Sequence, residues 1–465
     1  MNQNSLRKAC CLLLFALPAV IVLAAQTPGP NGNFRFALAG DSIIERRISV
    51  FDDEAFLRMI DRIRSADASF TNFEMLVHNF EAPGAPMSGG TYMQADPFVI
   101  DELKWAGFRM FGLANNHSYD FGVDGLRSTL RHFEQAGLTH AGTGENMARA
   151  RAPGYLDTKR GRVALIACAS TFTAISPAGE QRADLVGRPG LSPLHIKTLY
   201  TVDAATMTGL RTLGGRGGAA AGARGGQQAD LNMFGVTFHV GDKPAVSTSP
   251  DPKDMAEIVA SVRDARRMSD WVVVSIHAHE SIQGNVEVPA EFLPIFAHAV
   301  IDAGADVFVG HGPHVLRGIE IYKGKPIFYS LGDFFMQNDL VSIQPQESYN
   351  TYGLPLNATV ADFFDRRSGT TYTDGVEKNA RSFPATQSFW EGMEAEPVFN
   401  SKRELQRIDL YPVTLGFGLP RAQRGFPFPA NPQDAAAIVG RVAKLSKARG
   451  TDITFEAGRG VVKVK

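Results

Sequence analysis

From Phe34 onward, short apolar runs alternate with segments whose apolar residues recur every three or four positions. The runs Phe34–Ala39, Ala68–Phe73, Met110–Leu113, Val163–Ala169, Trp271–Ile276, Val307–Val309 and Pro326–Ser330 read as strands, because they are short, apolar and bounded by turn residues. Asp53–Arg64, Val123–Ala136, Met255–Met268 and Pro289–Ala303 read as amphipathic helices, several opening with Asp or Pro and closing with Gly. Strand and helix in turn predict an α/β layered domain.

Two stretches break this rhythm. Gly214–Gly226 is too poor in large apolar groups to pack and predicts a surface loop. Met336–Phe399 is polar but carries Tyr349, Tyr352, Phe363, Phe364 and Trp390, more large rings than a linker holds. It therefore reads as an insertion over one face, a candidate lid. Leu405–Leu415 returns as a strand, Asn431–Ala448 as a helix and Asp452–Val464 as terminal strands. Residues 400–465 are thus expected to complete the domain begun over 34–335.

Residues 1–25 have another character: a basic head with Arg7 and Lys8, apolar residues from Ala9 to Leu23, then Ala24 and Ala25. This is the pattern of a secretory signal peptide, with cleavage expected near the two alanines. An uncleaved anchor is the alternative, although Leu12–Leu23 with its flanks falls short of the roughly 20 apolar residues a span needs. Either reading places the working part outside the cytoplasmic membrane, periplasmic or extracytoplasmic. Removing the leader takes two basic residues from the 47 Lys+Arg and leaves 45 against 48 acids. That near-neutral balance excludes nucleic-acid binding driven by a broad basic surface. Three cysteines among 465 residues exclude a disulfide scaffold, and Cys168, inside an apolar run, reads as a buried core thiol.

In open α/β sheets ligands collect beyond the carboxyl ends of strands, so the residues after each run carry the functional signal. The first run ends in Gly40-Asp41, which serves a turn or helix cap equally well. The second ends in Asn72-Phe-Glu74, whose polar side chains share one side by strand alternation. The third is followed by Asn115-Asn116-His117-Ser-Tyr-Asp120, where the asparagines could also build a turn and His117 cap the next helix. The fourth ends in His277-Ala-His279, two imidazoles on one side of an extended chain. The fifth ends in Gly310-His311-Gly-Pro-His314, whose glycines permit a tight turn.

Asp41, Glu74, Asn116, His277, His279, His311 and His314 thus offer mixed oxygen and nitrogen donors from separate strand ends. Such a set suits Mn, Fe or Zn rather than an all-oxygen Ca or Mg cage, and its size suits two divalent metal ions. Paired ions can clamp a phosphoryl oxygen and activate water, a common arrangement for phosphoester hydrolysis.

These runs resemble the CapA family of poly-γ-glutamate capsule biosynthesis proteins, whose domain is similar to the calcineurin-like metallophosphatases. The matching pieces are Gly40-Asp41, Asn72-Phe-Glu74, Ala114 to Gly122, Gly187-Arg-Pro-Gly190, and Gly310-His-Gly-Pro-His314 with Tyr329-Ser-Leu-Gly332. The resemblance covers roughly Phe34–Phe335. It implies a four-layer α/β/β/α sandwich, with Asp41, Glu74, Asn116, His277 and His311 as metal ligands and His314 as a further ligand or a substrate contact. His117, with Asp120 beside it, would sit by the scissile group as proton donor or oxyanion stabiliser. Asn72, Asn115, Arg188, Arg317 and Asp333 are the candidate substrate contacts. Three positions depart from the pattern: Ile43 where metallophosphatases usually carry His, His277-Ala-His279 where relatives show His-Trp-Gly, and Asp333 where Asn is common.

The leading expectation is an exported metal-dependent hydrolase of phosphoester type in capsule or cell-surface polymer synthesis. Its expected partners are an anionic polymer or phosphoester substrate and membrane-bound capsule machinery, with no nucleic acid. The alternatives are a non-catalytic polymer-binding partner and a metal-dependent amide hydrolase of the polymer.

Overall fold

A computed structural model describes residues 32–214, 230–369, 371–373, 376–378 and 385–464. The expected leader over 1–25 and the part of the Gly-rich run beyond Gly214 lie outside the described residues. Among those described, the chain is mixed α/β, with ten α-helices and several sheets. No helix among them is long and apolar enough to cross a membrane.

The larger sheet has ten strands. Its main path runs Thr454–Glu456, Arg459–Lys463, Leu405–Thr414, Glu391–Phe399, Phe34–Ile43, Ala68–Phe73, Met110–Gly112 and Thr139–Ala141. Asp333–Met336 also pairs, in parallel, with the end of Phe34–Ile43. The second sheet runs Ile319–Tyr322, Lys325–Phe328, Val307–His311, Trp271–His277, Gly161–Ala169 and Gly154–Thr158. The neighbouring strands Phe34–Ile43, Ala68–Phe73 and Met110–Gly112 are parallel, as are Gly161–Ala169, Trp271–His277 and Val307–His311. Their carboxyl ends therefore collect on one edge of each sheet.

Strand alternation sorts the side chains into separate cores. Phe36, Leu38, Phe70 and Met110 of the larger sheet share a buried cluster with Leu165, Trp271, Val273 and Val309 of the second. Ala37, Ala39 and Phe73 point the other way and pack with Phe56, Leu103 and Phe133. These three come from the helices Glu54–Ser65, Phe98–Ala106 and Gly122–Gln135. On the second sheet, Val272 and Val274 pack with Val262 of Pro252–Met268 and with Phe296 and Val300 of Phe292–Ala303. Both faces of these strands are buried, which is why they read as continuous apolar runs. Asp53, at the opening of one expected helix, serves as its N-cap and accepts from Phe56, whereas Pro252–Met268 starts three residues before its expected start and is capped by Asp251, which accepts from Lys253 and Asp254.

One boundary differs more from the sequence expectation. The last nine residues of the stretch read as an insertion, Glu391–Phe399, form a wholly buried strand antiparallel to Phe34–Ile43 in the middle of the larger sheet. Its composition hid it, because acids alternate with small or apolar residues. Met393, Ala395 and Phe399 enter the core between the sheets. On the opposite face Glu394 pairs with Arg62 at 2.8 Å and Glu396 with Arg35 at 3.1 Å. The preceding part of that stretch folds back as the short helices Gln346–Thr351 and Val360–Ser368, whose Phe363 packs against Tyr349 and Tyr352.

Candidate metal centre

Register brings the polar strand ends together. Asp41 is paired with Asn72 on one side and Asp333 on the other, and Asn72 with Gly112. In the second sheet His277 is paired with His311. Two glycines make the approach possible. A Cβ on Gly40 would lie 1.8 Å from the carbonyl oxygen of Gly332, and that oxygen accepts from the Asp41 amide at 3.0 Å. Gly312 has φ +110 and donates its N–H to Asp41 Oδ2 at 2.7 Å, tying the two sheets together at the site. His314, two residues on, is held at φ 57, a conformation that non-glycine residues seldom adopt and that clusters at functional sites.

The donors form overlapping groups. Asp41, His277 and His311 offer ligand atoms within 4.8 Å of one another, as do Glu74, His279 and His314. A third group, Asp41, Glu74, His314 and Asp333, links the first two. His311 Nδ1 lies 3.2 Å from Asp41 Oδ1, and His277 Nε2 lies 2.9 Å from His279 Nε2. Each group has a support: Asn72 donates to Asp41 Oδ1 at 2.7 Å, Ser275 Oγ meets His311 Nε2 at 2.7 Å, and Asp333 Oδ1 meets His314 Nδ1 at 2.9 Å. Such outer contacts fix the ring orientations of ligating imidazoles.

Electrostatics mark this as a site built around positive charge. Burial drives Asp41 upward, but hydrogen bonds and charge from His277 and His311 outweigh it and hold the carboxyl well below its usual range. For Glu74 the balance is reversed: burial and the neighbouring Asp41 outweigh the charge of His314 and raise it well above 4.5. Burial pushes His277 down to about 4, and burial together with His277 pushes His279 well below the usual imidazole range. His314 moves the other way, to about 10, because Asp333 and Glu74 overcome its burial. Both Glu74 oxygens, Asn72 Oδ1, Asn116 Oδ1 and Asp333 Oδ2 are buried with no hydrogen-bond partner. Orphan acceptors of this kind cost on the order of 1–3 kcal/mol each, and bound cations would satisfy them. The buried His, Asp and Glu groups could therefore hold metal ions.

The cluster opens onto a cleft of about 670 Å³ through Asn116, His117, His279 and His314. His117 Nδ1 meets Asp120 Oδ2 at 2.7 Å, while its Nε2 lies 3.9 Å from Glu74 Oε1. Asp120 is itself held by the backbone N–H groups of Gly89 at 3.1 Å and Met93 at 2.9 Å. This arrangement directs Nε2 of His117 toward Glu74 and the cleft. The far wall comes from the 336–399 stretch, with Asn338, Tyr352, Phe363 and Arg367.

The remaining expected contacts are placed differently. Asn115 shapes the turn, its amide donating to the Phe73 carbonyl at 2.8 Å and accepting from the His117 N–H at 3.1 Å. Arg317 is fully buried and donates to the carbonyls of Val286, Ala278, His279 and Glu280, clamping the chain that carries His279. Arg188 is exposed, donates to the Pro177 carbonyl and does not line the cleft. Sequence reasoning passed over Ser275, although it stands two residues before His277 and so shares its face. Arg367 carried no signal, because nothing around it in the chain resembles a motif. Cys168 is buried and its thiol is pushed above the usual range by burial, as a core thiol should be.

The chain is 34% identical over 447 residues to the uncharacterized protein y4sH of Sinorhizobium fredii, covering 93% of each chain. It is 26% identical over 342 residues to the capsule biosynthesis protein CapA of Bacillus anthracis, covering 69% of this chain and 67% of that one. A probable polyglutamine synthesis accessory protein of Mycobacterium tuberculosis is 30% identical over 253 residues, 54% of this chain and 50% of its own. The family model for the bacterial capsule synthesis protein PGA_cap matches residues 35–338, a span that begins in the Asp41 strand and ends just past Asp333. The chain therefore belongs to the PGA_cap family of bacterial capsule synthesis proteins.

Proposed function

We propose that this protein is an exported, metal-dependent hydrolase of phosphoester type that acts in the synthesis of a capsule or similar anionic surface polymer. In this reading the fold is a metallophosphatase-like α/β/β/α sandwich over 34–335, completed by 391–465, with the helices Gln346–Thr351 and Val360–Ser368 forming a lid. The polymer class, of poly-γ-glutamate type, is the one that the family resemblance implies. A membrane-bound synthesis machinery is the proposed partner, and the leader is the proposed route of export.

The observation that carries the reading is the pair of disjoint triads, Asp41–His277–His311 and Glu74–His279–His314, lying beside the His117–Asp120 pair at one cleft. Their mixed donors suit two ions of Mn, Fe or Zn. When bound, paired ions of this kind supply Lewis acidity and a water acidic enough to act as nucleophile. Asn116 would turn its orphan carbonyl oxygen to the second site. His117 would give a proton to the departing oxygen, with Asp120 holding the ring for that task. Ile43, at the cleft wall where a further imidazole would add a ligand, leaves the Asp41 triad without a second layer of nitrogen donors.

The test is a metal-loaded screen with aryl phosphates and poly-γ-glutamate fragments. Phosphate release that depends on added metal and is lost in His117→Ala supports the reading. Cleavage of the polymer amide without phosphate release would make it an amide hydrolase. Full metal occupancy with no turnover of either would leave a polymer-binding partner.

A further inference from the structure

Arg367 lines the same cleft as His117, His279 and His314 and is given no role by the proposed chemistry. It ends the helix Val360–Ser368, half-buried, with its guanidinium 5.0 Å from the Phe364 ring centroid and a hydrogen bond to Thr91 Oγ1. Its neighbours are neutralised: Arg421 pairs with Asp365 at 2.8 Å and Arg424 with Asp339. Among the described residues, Arg367 has no carboxylate within the 4.0 Å of an ion pair. The acid that lines the same cleft, Glu347, is exposed and makes no ion pair with it. Burial holds the guanidinium below its ordinary range, and the more distant charge of Asp339 only partly offsets this.

A desolvated guanidinium fixed by an aromatic face and a hydroxyl is a poor surface group and a good anion receptor. We propose that Arg367 forms an anion subsite, holding a carboxylate or phosphate of the substrate while another group of the same molecule reaches His117 and the metal ligands. The substrate class is then a chain molecule with at least two anionic groups, and a cleft of about 670 Å³ has room for several of its units. This rests on the proposed reading of the cleft and deepens it, because the subsite distinguishes a polyanion from a simple phosphate monoester. Asn338, Ser348, Thr351 and Tyr352 line the same wall and offer further polar contacts to the chain.

The test is fluorescence anisotropy on the metal-loaded full chain with labelled tetraglutamate, labelled tetraglutamine and a labelled tetrapeptide carrying two phosphoserines. The wild type is expected to bind at least one anionic probe, and the stronger of the two identifies the group recognised. Arg367→Ala should weaken that probe at least tenfold and leave tetraglutamine unchanged, and Arg367→Lys should recover part of the loss. Equal binding of tetraglutamine by the wild type, an Arg367→Ala variant that binds as the wild type does, or an equal loss for all probes would overturn the proposal. Charge-selective binding without any turnover would sink the hydrolase reading alone. Turnover with an indifferent Arg367 would sink the subsite alone.

Discussion

His277 and His311 are direct partners on adjacent parallel strands, and their Nδ1 atoms lie 3.1 Å apart beside the Asp41 carboxylate. Two imidazole nitrogens at that distance either share a proton or turn lone pairs toward a common cation. Because burial presses His277 down to about 4, its ring is neutral at physiological pH and one of its nitrogens has a lone pair available to a metal.

Ligation and proton transfer should therefore separate on mutation. His277→Ala and His311→Ala are expected to lower metal content, measured after loading and desalting, because each removes a donor from the Asp41 group. His117→Ala should keep metal content near that of the wild type while lowering kcat by roughly 100-fold or more, the usual contribution of a positioned acid. Unchanged turnover in all three would contradict the site.

Gly40→Ala should be among the most damaging small substitutions in the chain. The new methyl would meet the Gly332 carbonyl oxygen at 1.8 Å, and both partners are backbone, so neither side chain can rotate away. A loss of about 3 kcal/mol or more is expected, read as a fall in Tm of several degrees, together with weaker metal retention. Gly440→Ala is the control: it lies exposed in the helix Pro432–Lys447 with nothing within 4 Å, and should be neutral or stabilise by up to about 1 kcal/mol.

Arg317→Ala tests the clamp beneath His279. Four carbonyls, those of Val286, Ala278, His279 and Glu280, would lose their donor in a buried setting. Destabilisation of about 2–4 kcal/mol is expected, with metal affinity falling as the His279 segment loosens. Arg317→Lys should rescue little, since a single ammonium cannot reproduce the spread of the guanidinium fork.

Glu394 gives a pH dependence that is independent of the metal centre. Burial raises its carboxyl from 4.5 to about 7, with the Arg62 ion pair only partly offsetting this. Below 4.5 the folded and unfolded chains both hold the proton, and this group contributes no difference. Between 4.5 and about 7 the folded chain retains a proton that the unfolded chain has released, so its contribution to stability falls as pH rises. Glu394→Gln lacks this loss. The variant should gain on the wild type by roughly 3 kcal/mol between pH 4 and pH 8, measured by urea unfolding across that range. A constant difference would contradict it.

The sequence made the parallel strands legible because their two buried faces leave unbroken apolar runs, as in Ala68–Phe73 and Trp271–His277. It hid Glu391–Phe399 because Glu394 and Glu396 occupy the face away from the inter-sheet core, and only the distant Arg62 and Arg35 explain how these two acids are buried. At the site, residues next to strand ends stood out, since a parallel sheet gathers its carboxyl ends. The roles of Asn115 and Arg317 did not: whether an amide faces the cleft or ties a turn, and whether an arginine meets solvent or backbone carbonyls, depends on chain segments far away in sequence. Arg367 was invisible for the same reason, because its cleft wall exists only once Val360–Ser368 folds back across the strand ends.

The most direct measurement is elemental analysis of the purified full chain after incubation with Mn, Fe or Zn and exhaustive desalting. The two-triad account expects about two ions per chain, and about one in the double variant His279→Ala/His314→Ala, which leaves Asp41, His277 and His311 in place. A wild-type chain that retains no metal, or a double variant that retains as much as the wild type, would contradict it.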